Sequence, residues 1–235
     1  MEVLLSGKTS FKIEVPYRLY ETGPAMEKPL ILYLHGFGQN IKVFERITKP
    51  LLSLNAYHLF IQGPYTDLGS IQKNKRSGYG WYLYDGTQEL FTKSLEYTSE
   101  FIQEVVDGLL PHLQVNRMAL FGYSMGGYLA GYFGLSRWKH VNDMILVGCR
   151  IKTELFETGW DNRKHIKILG LHGLNDRSVK PDPQRKAIKY LRSKGLDAEF
   201  KGLDAGHKLS NNFITYSRKW FMSKGYKEEH NVVED

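Results

Sequence analysis

The 235-residue sequence predicts an α/β fold with a mainly parallel β-sheet flanked by helices. Two patterns carry this prediction: short runs of continuous apolar residues, and longer segments in which apolar residues recur every three to four positions. Continuous apolar runs suit strands covered on both faces, as the strands of parallel sheets are. Their alternation with helical segments indicates βαβ units. Because no repeat or linker interrupts the pattern, we expect one domain over residues 1–235.

The predicted strands follow the apolar runs. Segment 11–19 alternates apolar and polar residues and contains Pro16, which favours a half-solvated strand near a sheet edge. The remaining runs are apolar throughout or nearly so, and each predicts a buried strand. They are 30–34, 58–61, 118–121, 144–147 and 166–171.

The predicted helices occupy the intervals between these strands. Apolar residues with helical spacing predict helices over 88–110 and 209–223, and a shorter helix is predicted over 183–194. Thr87 is the predicted N-cap of the first of these. The glycine-rich segment after the strand 118–121 can also be helical, which completes the alternation.

Composition and charge exclude several classes of protein. A single cysteine cannot form an internal disulfide, and no apolar run approaches the roughly 18 residues of a membrane-spanning helix. Residues 1–10 contain no apolar stretch typical of a secretory signal, so a cytoplasmic location is expected. The net charge of +7 comes without a dense basic stripe, since the cluster at 73–76 holds only three charges. Scattered surface lysines explain it, and no nucleic-acid partner is expected.

The strongest local signal is the pentapeptide Gly122-Tyr-Ser-Met-Gly126, a G-x-S-x-G motif directly after a predicted strand. A serine at a sharp strand-to-helix turn adopts a strained backbone, and glycines two positions before and after it remove the clashes. The turn exposes the Ser124 hydroxyl at the carboxyl edge of the sheet. The amides that follow lie at a helix N-terminus, where they can donate to an anion. We therefore predict that Ser124 is a nucleophile, the alternative being a chance glycine-rich turn.

A second motif, His35-Gly-Phe-Gly38, follows the predicted strand 30–34. A backbone N–H of this loop, together with the amide of Met125, would form an oxyanion hole for a carbonyl attacked by the serine. His35 itself is expected to be a structural histidine that anchors the loop by local hydrogen bonds.

The downstream sequence offers the partners that such a serine needs. A serine hydroxyl is a poor nucleophile until a histidine takes its proton, and a carboxylate must orient that histidine. Asp176 follows a predicted strand in a turn, and His207 lies in a loop before the last predicted helix. Asp204 is the rival acid, although its closeness to His207 points to a role in shaping the loop. His172 is expected to stabilise the Asp176 turn.

Taken together, the motifs LHGFG, FGYSMGG, GLHGLNDRSV and DAGH resemble those of the α/β-hydrolase superfamily. Within it, residues 29–223 are similar to the phospholipase/carboxylesterase group, which includes acyl-protein thioesterases and bacterial carboxylesterases. The triad and oxyanion amides that the resemblance implies are Ser124, Asp176, His207, Phe37 and Met125.

The predicted activity is hydrolysis of a small-molecule carboxylic ester or thioester through an acyl-enzyme on Ser124, without a cofactor or metal. Members of the family often have an aspartate after HG-x-G, whereas Gln39 and Asn40 stand here. This departure leaves dienelactone-hydrolase-like and other esterases open beside thioesterases. Lactone, peptide or carbon–carbon bond cleavage by the same triad is an alternative, and a non-catalytic binding protein is another.

The substrate pocket is the part that the sequence predicts least directly. Trp81, Tyr82 and Tyr123 are candidate substrate-binding residues, although the aromatic residues of the 63–88 connection could equally pack that loop onto the body. The segment 148–165 is too short for a cap domain, so we expect an open site that favours short, soluble esters. Cys149, which lies in that segment, is expected to be a buried structural thiol.

Overall fold

The computed structural model describes residues 7, 13–67, 69, 77–84 and 86–228. The strands in these ranges are β1 Tyr17–Glu21, β2 Lys28–Leu34, β3 Tyr57–Ile61, β4 Tyr65–Asp67, β5 Gly78–Gly80, β6 Val115–Tyr123, β7 Asp143–Val147, β8 Lys167–Gly173 and β9 Asp197–Leu203. Seven of them form one sheet in the order β1-β3-β2-β6-β7-β8-β9, and β4 and β5 form a separate antiparallel pair. In the large sheet only β1 is antiparallel to its neighbour.

Helices cover both faces of this sheet. They are α1 Ile41–Thr48, α2 Gln88–Leu109, α3 Met125–Ser136, α4 Pro181–Ser193 and α5 Asn211–Ser223, with 3-10 turns at Lys49–Ser53, Leu110–His112, Thr153–Leu155 and Asp161–Arg163. Apolar residues of α2, α3 and α4 pack on one face of the sheet, and those of α1 and α5 pack on the other. None of the helices in the described part of the chain is long and apolar enough to cross a membrane.

Strand β2 illustrates why the apolar runs are buried strands. Leu32 belongs to the core on one face of the sheet, whereas its neighbours Ile31 and Tyr33 belong to the core on the other. Successive side chains of a strand point to opposite faces, so a strand covered on both sides needs apolar residues at every position. The prediction of a mainly parallel sheet flanked by helices is confirmed. That residues 1–235 form one domain stays a prediction.

The first predicted strand was wrong in its bounds. The structure begins β1 at Tyr17, and residues 13–16 are not in a strand. Residues 11 and 12 of the prediction lie outside the described residues. Pro16 has no N–H to donate to a ladder, and its carbonyl accepts from the Gln62 N–H at 3.1 Å as the chain enters the sheet. The position at a sheet edge is confirmed, because β1 pairs only with β3.

Several elements have no counterpart in the prediction. Strand β9 is an edge strand in which only Ala198 is buried, so it lacks a continuous apolar run. Helix α1 has only eight residues and begins after Asn40, whose side chain accepts from the Val43 N–H at 3.0 Å. The pair β4–β5 lies within the 63–88 connection, for which no strand was predicted.

The parallel sheet brings the predicted motifs to one edge. Strands β2, β6 and β8 are parallel, so the segments after their carboxyl ends lie on the same side. These segments carry His35, Ser124 and Asp176, respectively. The loop after β9 contributes His207. The segment 148–165, which could have carried a cover, contains only two short 3-10 turns and no cap domain.

Candidate active site

Ser124 occupies a strained turn between β6 and α3. Its φ of 52° and ψ of −117° make it the only non-glycine residue with positive φ among the described residues. Such a conformation costs about 1–3 kcal/mol and persists only where the surroundings enforce it. The Ser124 N–H donates to the Val147 carbonyl at 2.8 Å, and a Cβ on Gly122 would lie 2.6 Å from the Gly126 carbonyl oxygen. Glycine at both flanking positions therefore permits the turn.

A continuous chain of hydrogen bonds links three polar side chains. Ser124 Oγ lies 2.9 Å from His207 Nε2, and His207 Nδ1 lies 2.6 Å from Asp176 Oδ2. With a carboxylate at Nδ1, the imidazole carries its proton there and leaves Nε2 as an acceptor for the serine hydroxyl. Side chains in this arrangement can act chemically as a nucleophile, a base and an acid that orients the base.

The Asp176 carboxylate is buried, but hydrogen-bond donors of the protein satisfy it. Its exposed fraction is 3%, and its Oδ1 accepts from the backbone N–H groups of Ser178 and Val179 at 2.8 and 2.9 Å. Burial alone would raise the pKa of Asp176, but these hydrogen bonds and the contact with His207 outweigh it and lower the pKa. Asp176 is thus held as an anion beside the imidazole. The rival Asp204 instead accepts from the Asn175 amide at 2.7 Å.

Tyr123 contacts the histidine of the hydrogen-bonded chain. Its side chain is buried, its hydroxyl donates to the His207 carbonyl at 2.9 Å, and the two ring centroids are 5.4 Å apart. That Tyr123 also binds substrate stays a prediction. The phenol is directed toward the backbone of the histidine loop, because it emerges from the last residue of a buried strand.

The two predicted oxyanion amides lie on adjoining segments. Neither the Phe37 nor the Met125 N–H has an acceptor among the described residues. A Cβ on Gly80 would lie 3.3 Å from Met125 Cε and 3.4 Å from Phe37 Cδ2, so both side chains meet at the same glycine. The Gly36 N–H donates to Gln39 Oε1 at 2.9 Å, which braces the turn. Two free N–H groups near the serine can bind a developing oxyanion.

His35 is structural, as predicted. The Gly63 N–H donates to His35 Nε2 at 3.0 Å, so His35 Nδ1 carries the proton and donates to the Gly36 carbonyl at 2.8 Å. Burial lowers the pKa of His35 to about 4, against a weaker opposing effect of the Gly36 hydrogen bond. The neutral ring therefore ties the Gly36 loop to the chain that leaves β3.

The two aromatic candidates in the 63–88 connection differ from each other. Trp81 is fully buried, and its indole N–H donates to the His35 carbonyl at 2.7 Å. The structure supports the interpretation that Trp81 packs its loop onto the body, because a side chain without exposed surface does not line an open pocket. Tyr82 is half-buried, packs edge-on against Phe91 with centroids 5.0 Å apart and lines a cavity.

The remaining structural predictions concern His172 and Cys149. His172 is buried, with Nδ1 2.8 Å from Gln184 Oε1 and Nε2 2.9 Å from the Val179 carbonyl, so it fixes the segment that carries Asp176. Cys149 is buried against Gly127, and burial raises the pKa of its thiol well above the ordinary value. Both are structural, as predicted. No group of three or more metal-binding side chains occurs among the described residues.

Sequence reasoning missed the residues that line the cavity beside Tyr82. Tyr128, Arg150 and Lys152 contribute to it together with Phe91. The spacing of Tyr128, four residues after Ser124 on a predicted helix, was the available signal, because residues four apart lie on the same helix face. Arg150 and Lys152 follow a strand end without any motif.

A mainly parallel sheet with a strained serine at a strand-to-helix turn is the architecture of the α/β hydrolases. The model of the phospholipase/carboxylesterase family matches residues 21–223. The chain therefore belongs to this family of hydrolases. A comparison with curated protein sequences finds no match.

Solved structures share the fold at low sequence identity. The carboxylesterase of Bacillus cereus superposes with a TM-score of 0.74 at 16% identity, covering 89% of this chain and 94% of that one. A carboxylesterase from Mesorhizobium loti superposes with a TM-score of 0.72 at 19% identity, covering 88% of this chain and 94% of that one. Acyl-protein thioesterase 2 of Zea mays superposes with a TM-score of 0.70 at 16% identity, covering 88% of this chain and 98% of that one.

Proposed function

We propose that the protein is a serine hydrolase that cleaves carboxylic esters of small molecules through an acyl-enzyme on Ser124. The observation that carries this proposal is the hydrogen-bonded chain from the Ser124 hydroxyl through His207 to Asp176, at 2.9 and 2.6 Å. Membership of a carboxylesterase family supports the same reaction class. The proposed reaction needs no metal or organic cofactor, because each proton and charge has a protein partner.

The first half of the reaction forms the acyl-enzyme. His207 Nε2 takes the proton of Ser124 as Oγ attacks the ester carbonyl carbon. The Phe37 and Met125 N–H groups donate to the oxygen, which becomes negative in the tetrahedral intermediate. Asp176 stabilises the imidazolium. The intermediate collapses when His207 gives its proton to the leaving alcohol, and the acyl group remains on Ser124.

The second half repeats these steps with water. His207 removes a proton from a water molecule, whose oxygen attacks the acyl carbon. Collapse of the second tetrahedral intermediate returns the proton to Ser124 Oγ and releases the carboxylic acid. The same chemistry would cleave a thioester, because only the leaving atom differs.

The test combines covalent labelling with turnover. A fluorophosphonate should phosphonylate the protein at Ser124, and p-nitrophenyl acetate should be hydrolysed. Ser124→Ala should abolish labelling and lower kcat by at least roughly 10³-fold, because members of a triad act as one unit. Ser136→Ala is the matched control, since Ser136 ends the same helix and its hydroxyl bonds only to local groups.

Two results would count against the proposal. A folded Ser124→Ala protein with turnover near that of the parent would remove Ser124 from the reaction. A parent protein that neither reacts with the fluorophosphonate nor hydrolyses any ester would favour the non-catalytic binding protein.

A further inference from the structure

A cavity of 290 Å³ lies beside the helix that begins directly after the candidate nucleophile, and it has no part in the mechanism above. Four aromatic side chains line it, those of Tyr82, Tyr84, Phe91 and Tyr128, and we call it the aromatic cavity. Tyr128 lies one helical turn after Ser124, and its N–H donates to the Ser124 carbonyl at 3.1 Å. The cavity therefore borders the first turn of the helix that follows the serine.

A second wall of the aromatic cavity belongs to the chain segment that contacts the base, His207. Arg150 lines it two residues after Gly148, and a Cβ on Gly148 would lie 3.6 Å from the His207 ring. Tyr128 and Arg150 both line the cavity, so it lies between the helix α3 and the segment after β7. The cavity thus lies between the helix that follows Ser124 and the segment that contacts His207, and we infer that it receives one end of an ester substrate.

Lys152 places a sheltered positive charge in this wall. Only 10% of its side chain is exposed, and its ammonium lies 5.4 Å from the centroid of Phe91. It also lies 3.2 Å from Gln88 Oε1 and 3.1 Å from Glu154 Oε1. A charge that is shielded from water interacts more strongly with an opposite charge than an exposed one does.

The charges around the aromatic cavity do not cancel. Two cations, Arg150 and Lys152, share one carboxylate, Glu154, which bonds to them at 2.9 and 3.1 Å and leaves an excess of one positive charge. Burial would raise the pKa of Glu154, but hydrogen bonds and the neighbouring cations lower it, so the carboxylate is ionised. Of the described residues that line the cavity, none is acidic. A single excess charge complements a monovalent anion.

We propose that the aromatic cavity is a subsite for a carboxylate on the substrate, so that the preferred esters carry a free carboxylate near the scissile bond. Lys152 binds the carboxylate, with Arg150 at the rim, and the rings of Tyr82 and Tyr128 contact the short carbon chain that joins it to the ester. This inference rests on the proposed function, because it concerns the same hydrolytic site.

The experiment compares charged and neutral esters of nearly equal size. Monoethyl glutarate against ethyl valerate places the carboxylate in the acyl part, and 3-acetoxypropionate against butyl acetate places it in the alcohol part. Acid release in a pH-stat gives kcat/KM for each ester. We expect kcat/KM to be at least about 10-fold higher for the charged member of one pair, the range of a charge-assisted hydrogen bond. Added NaCl should reduce this preference.

Lys152→Met removes the charge and keeps the aliphatic stem. It should lower the charged-to-neutral ratio of kcat/KM by about 10-fold, whereas Lys152→Arg should retain most of it. Arg150→Met gives an independent measurement at a half-exposed position and should lower the ratio by about 3-fold. Lys93→Met is the matched control, because Lys93 also lies over an aromatic ring, that of Tyr97, but does not line the cavity. Its ratio should equal that of the parent.

The outcomes separate this inference from the proposed function. Hydrolysis of the neutral esters without preference for either charged one overturns the subsite alone. The same holds if Lys152→Met and Lys93→Met give the same ratio. Failure to hydrolyse any ester, together with no fluorophosphonate labelling, overturns both.

Discussion

His172 Nε2 lies 3.3 Å from Asp176 Oδ2, the oxygen that also accepts from His207. Asp176 therefore lies between two imidazoles, one exposed to the site and one fully buried. The orientation of the buried ring is fixed, because Gln184, which accepts at Nδ1, itself donates to the Leu146 carbonyl at 2.8 Å. We infer that His172 positions Asp176 and the segment that follows it.

Replacing His172 should therefore affect both stability and turnover. His172→Leu removes the ring N–H and leaves the buried acceptor Gln184 Oε1 without a donor, which costs about 1–3 kcal/mol. The loosened Asp176 should lower kcat roughly 10-fold with little change in KM, because small displacements of catalytic groups are costly. Urea unfolding and steady-state kinetics would measure the two effects. His165→Leu, at an exposed histidine, should change neither, and an unaltered kcat in His172→Leu would refute the positioning role.

The identity of the acid is tested by a pair of isosteric substitutions. Asp176→Asn should lower kcat by roughly 10⁴-fold, the loss known when the asparagine holds the wrong histidine tautomer. Asp204→Asn should leave kcat near the parental value, because Asp204 bonds to Asn175 at 2.7 Å and the Asp176 contact occupies His207 Nδ1. A greater loss in Asp204→Asn than in Asp176→Asn would reverse the assignment.

Two glycines of helix α3 should respond oppositely to the same substitution. A Cβ on Gly126 would lie 2.5 Å from the His35 carbonyl oxygen and closer still to that of Leu34, so Gly126→Ala must displace the oxyanion loop. A Cβ on Gly131 would meet Leu146 Cδ1 at 3.5 Å and Ile151 Cγ2 at 3.7 Å, both ordinary contacts. We expect Gly126→Ala to lose about 1–3 kcal/mol of stability and roughly 10²-fold in kcat.

Gly131→Ala should instead stabilise the protein by up to about 1 kcal/mol through helix propensity, with unaltered kinetics. Thermal unfolding and p-nitrophenyl acetate hydrolysis, measured on both variants, would test the pair. Equal behaviour of the two variants would mean that the close approach of Gly126 to the loop is not needed for the site.

The sequence predicts the chemistry of this site better than its walls. Ser124, Asp176 and His207 stand in motifs whose local backbone is dictated by neighbouring glycines and strand ends, and parallel strands bring those ends to one edge. Trp81 and Tyr123 follow no such rule. Whether an aromatic ring faces solvent or the core depends on how its connection folds back, which neither residue type nor spacing determines.

The same distinction holds for the fold. Runs such as 144–147 identify strands covered on both faces, because each apolar residue type predicts that its own position is buried. Strand β9 is an edge strand whose side chains are mostly half-exposed, so charged residues such as Glu199 and Lys201 are tolerated and the periodic signal is lost. Short α1 offers too few turns for a helical period to emerge.

Two buried histidines should make stability depend on pH. Burial lowers the pKa of both His35 and His58 to about 4. In the unfolded chain the pKa is about 6.5, so unfolding takes up protons below that pH and stability falls as pH decreases from about 6.5 to 4. At pH 5 the expected loss is about 2 kcal/mol for each histidine.

Urea unfolding at pH 7.5 and pH 5.0 would measure this loss. In His58→Gln the difference between the two pH values should shrink by about 2 kcal/mol. His140→Gln, at an exposed histidine, should keep the parental difference. A pH dependence that is the same in all three proteins would contradict the buried neutral state of His58.

The last prediction concerns the length of the acyl chain. Arg150 lies at the rim of the aromatic cavity and Lys152 in its wall, and the segment 148–165 contributes only short 3-10 turns as a cover. A long alkyl chain would therefore extend past charged groups into water, and its added methylenes would gain little of the roughly 0.8 kcal/mol that full burial of each provides. In a p-nitrophenyl series from acetate to palmitate, kcat/KM should be highest at short chains and decline beyond them. A maximum at long chains, with a rise in rate above the solubility limit of the substrate, would instead indicate a site that acts on aggregated lipid.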